Sequence, residues 1–208
     1  MIELLTADTP NGKKISIMLE EIKFDYKVTK INIFKDDQFK PEFKKLSPFS
    51  KIPVIIDHDK KISLFESGAI LIYLGEKSGK FYEKDQRTII NQWLMGQVAY
   101  VGPMLGQHHQ FHYYNPGKSE FGENRYFKIS ERIYKELDER LMKSKFLAGD
   151  DYTIADIATF PWIARHEWHD IGLKKFKNLT RWYKEISDRE AVKTGYDLLN
   201  TGDKIPKV

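Results

Sequence analysis

The chain has no cysteine among its 208 residues. That one absence excludes disulfides, thiolate metal ligands and a cysteine nucleophile together. Any thiol chemistry must therefore use a thiol brought in by a ligand. Also missing is any apolar run approaching twenty residues, and Met1 does not open a charged-then-apolar leader, so neither a membrane span nor a signal peptide is expected. The expected compartment is the cytoplasm. There is little excess charge of either sign: 34 basic residues against 30 acidic ones, spread along the chain, leave a formal +4. Such a mixed, solvated surface argues against nucleic-acid binding. Internal repeats and low-complexity segments are absent as well.

What is present can fold. Hydrophobic residues at 41% and this length suffice for a sizeable core, in one domain or in two small ones. Ile2 to Thr6 reads as a strand. Thr9-Pro10-Asn11-Gly12 breaks it, with Thr9 suited to cap a helix and Pro10 to its first position, before Ile15, Met18 and Leu19 recur at helical spacing. Tyr26 to Ile33 reads as a second strand, Asp36 to Leu46 as a weaker helix, and Val54 to Ile56 as a strand entering a hairpin turned at Asp57 to Lys61. This order predicts an α/β unit with a mixed sheet over residues 1–77. The polar stretch 78–86, containing Gly79, reads as a linker. Residues 87–208 read as an all-helical domain, with helices over Thr88 to Met104, Tyr126 to Met142, Thr153 to Asp170 and Leu179 to Arg189. Thr153 and Asp156 have the spacing of a capping box, whose expected role is structural.

The stretch from Phe49 to Leu71 carries the strongest functional signal. Pro53 lacks an amide hydrogen and stands where a strand begins, so a cis peptide is expected there, with the Ile52 backbone turned outward. Ser67 and Gly68 lie just before the apolar Ala69-Ile70-Leu71, which places helix N-terminal amides where they can receive a carboxylate. A buried hairpin feeding an ordinary capped helix fits the same residues.

Ser-Lys-Ile-Pro at 50–53 and Glu-Ser-Gly-Ala-Ile at 66–70, followed by Tyr-Thr-Ile-Ala-Asp at 152–156 in a helical half, resemble the cytosolic glutathione transferases over nearly the whole chain. Thr9-Pro10-Asn11-Gly12, Glu20-Glu21, Gln38-Phe39, Pro41-Glu42-Phe43 and the run Gly102 to Gln107 are similar to the bacterial Nu class and its fungal relatives. The resemblance implies a thioredoxin-like first domain, an all-helical second one, a homodimer, and glutathione-dependent disulfide reduction without a metal. It further implies glutathione contacts at Thr9, Asn11, Gln38, Lys51, Ile52, Glu66 and Ser67, with Arg125 supplied by the partner subunit.

Each of these positions then has a chemical task. Ile52 can pair its backbone with an extended peptide. Glu66 suits the γ-glutamyl ammonium, and Ser67 with nearby amides its carboxylate. Lys51 and Gln38 would hold the glycyl end. Thr9 and Asn11 are left for the sulfur, where hydroxyl, amide and helix-start donors lower a thiol pKa. Two other functions stay open: transfer of the same thiolate to carbon electrophiles or hydroperoxides, and glutathione binding without turnover. His108 and His112 have an i, i+4 spacing that could bind zinc, but no nearby carboxylate completes a set, and packing is the expected role. His166 and His169 read as packing residues. Phe111, Tyr113 and Tyr114 could line a substrate pocket, a core or a dimer contact.

Overall fold

The computed structural model describes residues 1–208, which divide into two compact units, Met1–Tyr82 with Glu190–Lys204, and Glu83–Arg189 with Ile205–Val208. In the first, β1 (Ile2–Thr6) leads to α1 (Pro10–Ile22), β2 (Tyr26–Lys30), α2 (Pro41–Leu46), β3 (Val54–Asp57), β4 (Ile62–Phe65) and α3 (Ser67–Ser78). The sheet order is β2-β1-β3-β4, with β1 parallel to β2 and the other neighbours antiparallel. This is the mixed four-stranded sheet of a thioredoxin-like unit.

Alternation along the strands sorts the core. Leu5 pairs with Val54 and joins Phe43 of α2 in one apolar cluster, so Leu4 and its partner Ile55 face the opposite side of the sheet. All four strand residues are at most 8% exposed, each burial contributing roughly 1.5–3 kcal/mol. α1 begins close against the end of β1 because residue 12 is glycine. A Cβ there would lie 2.4 Å from the Ala7 carbonyl oxygen.

Asp36 to Leu46 does not form one helix. Asp36 takes a left-handed φ of 59°, and Lys40, preceding Pro41, is extended, so two short 3₁₀ turns, Ile33–Lys35 and Asp37–Phe39, precede α2. The second strand correspondingly ends at Lys30.

The helical unit holds α4 (Arg87–Gly96), α5 (Gly102–His108), α6 (Glu120–Lys143), α7 (Ile154–Ile163), α8 (His166–His169) and α9 (Lys177–Ser187). Here the sequence expectation needs four corrections. The first helical run continues past Met104 to Tyr114, through wide π turns at Gln97–Val101 and His109–Tyr114. The first π turn holds the carbonyl that a proline at 103 would otherwise strike in a regular helix. α6 starts at Glu120, because Ser119 caps it by accepting from the Gly122 amide at 3.1 Å, and Arg125 therefore lies inside a helix. The helix expected over Thr153 to Asp170 stops at Ile163, two residues after Pro161 removes an internal hydrogen bond, and resumes as α8. Finally, α10 (Glu190–Tyr196) belongs with the first unit although 87–208 reads as one helical domain. Gly195 lies so close to α1 that a Cβ would sit 2.6 Å from Ile17 Cα, and Lys13 of α1 donates to the Tyr196 carbonyl.

No helix is long and apolar enough to cross a membrane.

Candidate active site

Strand register gathers the site. Leu5 lies opposite Val54 on one side and Thr29 on the other, and Val54 lies opposite Phe65. The chain therefore leaves β1, leaves β2, enters β3 and leaves β4 all at one end of the sheet. Thr9 and Asn11 follow β1 there, Gln38 follows β2, Lys51 and Ile52 precede β3, and Glu66 and Ser67 follow β4.

Thr9 is the N-cap of α1, its hydroxyl oxygen accepting from the Gly12 amide at 3.1 Å. A hydroxyl whose oxygen is used inward still has its hydrogen to donate. Asn11 is the second residue of α1 and half-buried. The Ile52–Pro53 peptide is cis, and the Ile52 backbone takes no part in the ladder, which begins at Val54. Ser47 fastens the residue before it, its hydroxyl receiving the Lys51 amide at 3.0 Å and donating to the Lys51 carbonyl at 2.8 Å. The Lys51 side chain is exposed. Gln38 is half-buried, with Nε2 donating to the Ile33 carbonyl at 3.4 Å and Oε1 unpartnered.

Glu66 caps α3 by position only. Its φ is 69°, its side chain makes no capping bond, and its carboxylate is exposed. Ser67, the first residue of α3, is buried, and Lys14 Nζ donates to its hydroxyl oxygen at 3.2 Å. The first intrahelical bond of α3 runs from Ile70 to Glu66, so the amides of Ser67, Gly68 and Ala69 have no carbonyl within the helix. Two helix N-termini, two hydroxyl hydrogens and the free Ile52 backbone thus stand at one edge. That collection of donors suits an anionic, extended, peptide-like ligand.

Arg125 lies exposed on α6 in the helical unit, its guanidinium 6.0 Å from the Tyr126 ring. Three groups escaped the sequence reading. Gly12 and Ser47 act through backbone placement, which no local pattern marks. Lys14 did carry a signal, a charged residue in register with Met18 on the apolar face of α1.

The histidines close on one another instead of opening to a ligand. His108 and His112 stack 4.8 Å apart with rings 9° from parallel, and no three metal-ligating side chains come together. His108 Nε2 donates to the His169 carbonyl at 2.9 Å. Tyr134, whose phenol burial keeps protonated, donates to His169 Nδ1 at 2.7 Å, and His169 Nε2 meets His109 Nε2 at 2.7 Å. Burial holds both histidines neutral, with His109 lowered to about 3 and His169 well below its ordinary value. Tyr113 stacks on Trp168 at 4.2 Å, and Phe111 on Tyr126 at 5.4 Å.

A thioredoxin-like unit with anion-accepting helix starts, joined in sequence to an all-helical unit, defines a class, and family comparison agrees. The glutathione S-transferase N-terminal domain family matches residues 3–76 and its C-terminal domain family residues 109–190. The chain belongs to the glutathione S-transferase family. Among its relatives, the disulfide-bond oxidoreductase YfcG of Escherichia coli is 43% identical, covering 96% of this chain and 95% of that protein. A second disulfide-bond oxidoreductase of Escherichia coli, YghU, is 38% identical over 93% of this chain and 73% of its own length. A glutathione transferase of Pseudomonas putida, solved with one glutathione disulfide per subunit, superposes with a TM-score of 0.89 at 40% identity, covering 95% of this chain and 91% of that one. One from Burkholderia graminis, solved with two glutathione molecules per subunit, also gives 0.89, at 38% identity over 94% and 87%.

Proposed function

We propose that this chain is a glutathione-dependent disulfide reductase that uses no protein thiol. The observation that carries the reading is the donor-rich end of the sheet in a chain without cysteine. With glutathione held along Ile52, its γ-glutamyl end at Glu66 and Ser67 and its glycyl end at Lys51 and Gln38, the sulfur falls to Thr9 and Asn11. Their donors and the start of α1 stabilise the thiolate. That thiolate attacks one sulfur of the substrate disulfide, forming a glutathione mixed disulfide and releasing the other half as a thiolate, which takes a proton from water. A second glutathione thiolate attacks the glutathione sulfur of the mixed disulfide. Glutathione disulfide forms and the remaining substrate thiol leaves. Two glutathiones are oxidised by one bond and one disulfide is reduced, so the electrons balance.

The family's usual assembly supports a homodimer, in which the partner subunit's Arg125 would complete the site. The chemistry supports a cytoplasmic location, where glutathione is kept reduced. The division into residues 1–77, a linker at 78–86 and 87–208 is retained for the glutathione-binding and helical domains, amended by the return of α10 to the first.

Glutathione-dependent reduction of a small dialkyl disulfide tests the reading, run beside conjugation of a carbon electrophile and reduction of a hydroperoxide. Disulfide exchange should dominate. Dominant conjugation or peroxidase activity would move the chain to the transferase alternative, and tight glutathione binding without any turnover would make it a binding module. Light scattering tests the dimer.

A further inference from the structure

Lys13 is a buried cation in the first turn of α1, where a positive charge opposes the helix dipole. It is 3% exposed and meets two carboxylates from opposite ends of the chain, Asp8 Oδ1, and Asp203 Oδ2 at 3.2 Å. It also donates to the Tyr196 carbonyl and stands 4.0 Å from the centre of the Tyr196 ring. Such pairing offsets the cost of burying the charge. Asp8, the residue before the Thr9 cap, is engaged at its other oxygen too, where Oδ2 accepts from the Thr201 hydroxyl at 2.9 Å. We propose that Asp8 and Lys13 are positioning residues for the thiolate donors Thr9 and Asn11, and that residues 197–203 form the strap that holds them. The inference rests on the glutathione reading and deepens it.

Helix geometry separates the donors from what holds them. Residues 11 and 13 are two apart, about 200° around α1, so they stand on opposite faces. Lys13 shares its face with Ser16 and Ile17, which meet α10: the Ser16 hydroxyl donates to the Gly195 carbonyl, and a Cβ on Gly195 would sit 2.6 Å from Ile17 Cα. Asn11 stands on the side of Lys14, whose ammonium reaches Ser67. Lys13 therefore fixes the turn from the face away from Asn11. The strap is itself shaped by its own bonds. Asp197 Oδ1 accepts from the Thr201 amide at 2.9 Å and the Gly202 amide at 3.2 Å, its carbonyl accepts from the Asn200 amide at 2.9 Å, and Asn200 and Gly202 take left-handed φ of 49° and 77°. That bend delivers Thr201 to Asp8 and Asp203 to Lys13.

The Thr201–Asp8 bond is solvent-exposed, and such bonds contribute little to folding. Its removal can loosen the turn while the fold stands. A donor slightly out of place loses more of its hold on a reacting anion than the rest of the site loses on the ligand.

Thr201→Val breaks the strap at Asp8, Asp203→Ala breaks it at Lys13, and Thr201→Ser is the conservative control. The amides of Gly12 and Lys13 both bond to Thr9, so their hydrogen exchange reports the turn in the ligand-free chain. It should be about tenfold faster in Thr201→Val and Asp203→Ala and unchanged in Thr201→Ser, while exchange within β1 stays as it was. With glutathione bound, the ultraviolet absorbance of its thiolate followed against pH should place the thiol pKa higher by about 0.5 in Thr201→Val, with kcat for a small dialkyl disulfide about threefold lower at neutral pH and KM for glutathione changed less than about twofold. Asp203→Ala removes a negative charge, which alone would lower the thiol pKa, so a rise in that variant reports displacement of the donors. Unchanged exchange at Gly12 and Lys13, or faster exchange with the thiol pKa and kcat unmoved, would overturn this inference alone and leave residues 197–203 as a tether of the fold. Absence of glutathione binding to the unaltered chain would overturn the glutathione reading and this inference with it.

Discussion

Asp156 and Ser67 each stand in the first turn of a helix, each buried, one in each unit, yet their hydrogen bonds end differently. Asp156 is 0% exposed and both of its oxygens are spent inward. Oδ1 accepts from the Leu147 amide at 2.9 Å and the Trp182 indole at 2.8 Å, while Oδ2 accepts from the Thr153 amide at 3.0 Å and its hydroxyl at 3.2 Å. Nothing is left over for a ligand. Ser67 also receives a donor from inside, but its own hydrogen has no protein acceptor to go to. A buried polar group closed on all sides holds a fold together, whereas one closed on all sides but one presents that side to a partner.

The comparison is broken most severely at Asp156. Asp156→Ala strands four buried donors from three segments, the loop before α7, its N-cap and α9. A loss of at least about 3 kcal/mol in unfolding free energy is expected, because unmet buried groups and broken buried networks carry the largest penalties. Urea denaturation measures it. A loss below 1 kcal/mol would mean the network relaxes, and the contrast with Ser67 would collapse.

The capping box was legible because Thr153 and Asp156 stand three residues apart, and a cap is a local matter. So were β1, α1 with its Thr9 cap, the hairpin and the start of α3, where period and punctuation coincide. The wide turns of the helical unit were not. The apolar spacing predicts a helix through Pro103 that ends at Met104, and the π turns that carry the run on to Tyr114 are features of backbone register, which no local pattern marks. Nor was α10, whose place depends on Gly195 meeting Ile17 across 178 residues of sequence. In the site, the donors toward the ligand were legible as residue types. What stands behind them, Lys14 behind Ser67 and Ser47 behind Lys51, required the fold.

A second test bears on the open side. Asn11→Ala should slow disulfide exchange about a hundredfold at neutral pH, the usual effect of removing one donor from a reacting anion. Its pH–rate profile should move upward because the bound thiol becomes less acidic. Glutathione affinity should fall much less, since Ile52, Glu66 and Ser67 still hold the peptide. Asn11→Asp should be slower still. An unmoved profile would remove Asn11 from the thiolate.

The closed side answers to pH. His109 and His169 are neutral in the fold, lowered by burial, while unfolded histidines titrate near 6.5, so the unfolded chain gains protons first and stability falls as pH drops below 6.5. Asp156 works in the other direction. Burial raises its carboxyl to about 6, against an unfolded value near 3.9, so its proton favours the folded state as pH falls through that window. His108 and His166 are lowered by burial in the same sense, so the histidines together outweigh the one aspartate and stability falls as pH drops from 6 to 4. Urea midpoints across that range would show it, and His109→Gln should flatten the slope. Stability independent of pH would mean that the histidine network accepts protons in the folded state.

The smallest effect is the sharpest on the comparison, because at Thr9 one hydroxyl has an inward and an outward task. Its oxygen caps α1 through Gly12, and its hydrogen is left for the thiolate. Thr9→Ser keeps both and should change neither stability nor rate beyond a few tenths of a kcal/mol. Thr9→Val keeps the shape and loses both, so about 1 kcal/mol of stability should go with the cap. Thr9→Asp separates the two, since a carboxylate caps well but brings a negative charge and no hydrogen to the sulfur. It should fold as stably as the unaltered chain and yet exchange disulfides more slowly than Thr9→Val, with the thiol pKa raised. If Thr9→Val and Thr9→Asp are equally fast as the unaltered chain, the outward hydrogen has no acceptor. Thr9 would then belong with Asp156 among the groups that only build the fold, and Asn11 would hold the sulfur alone.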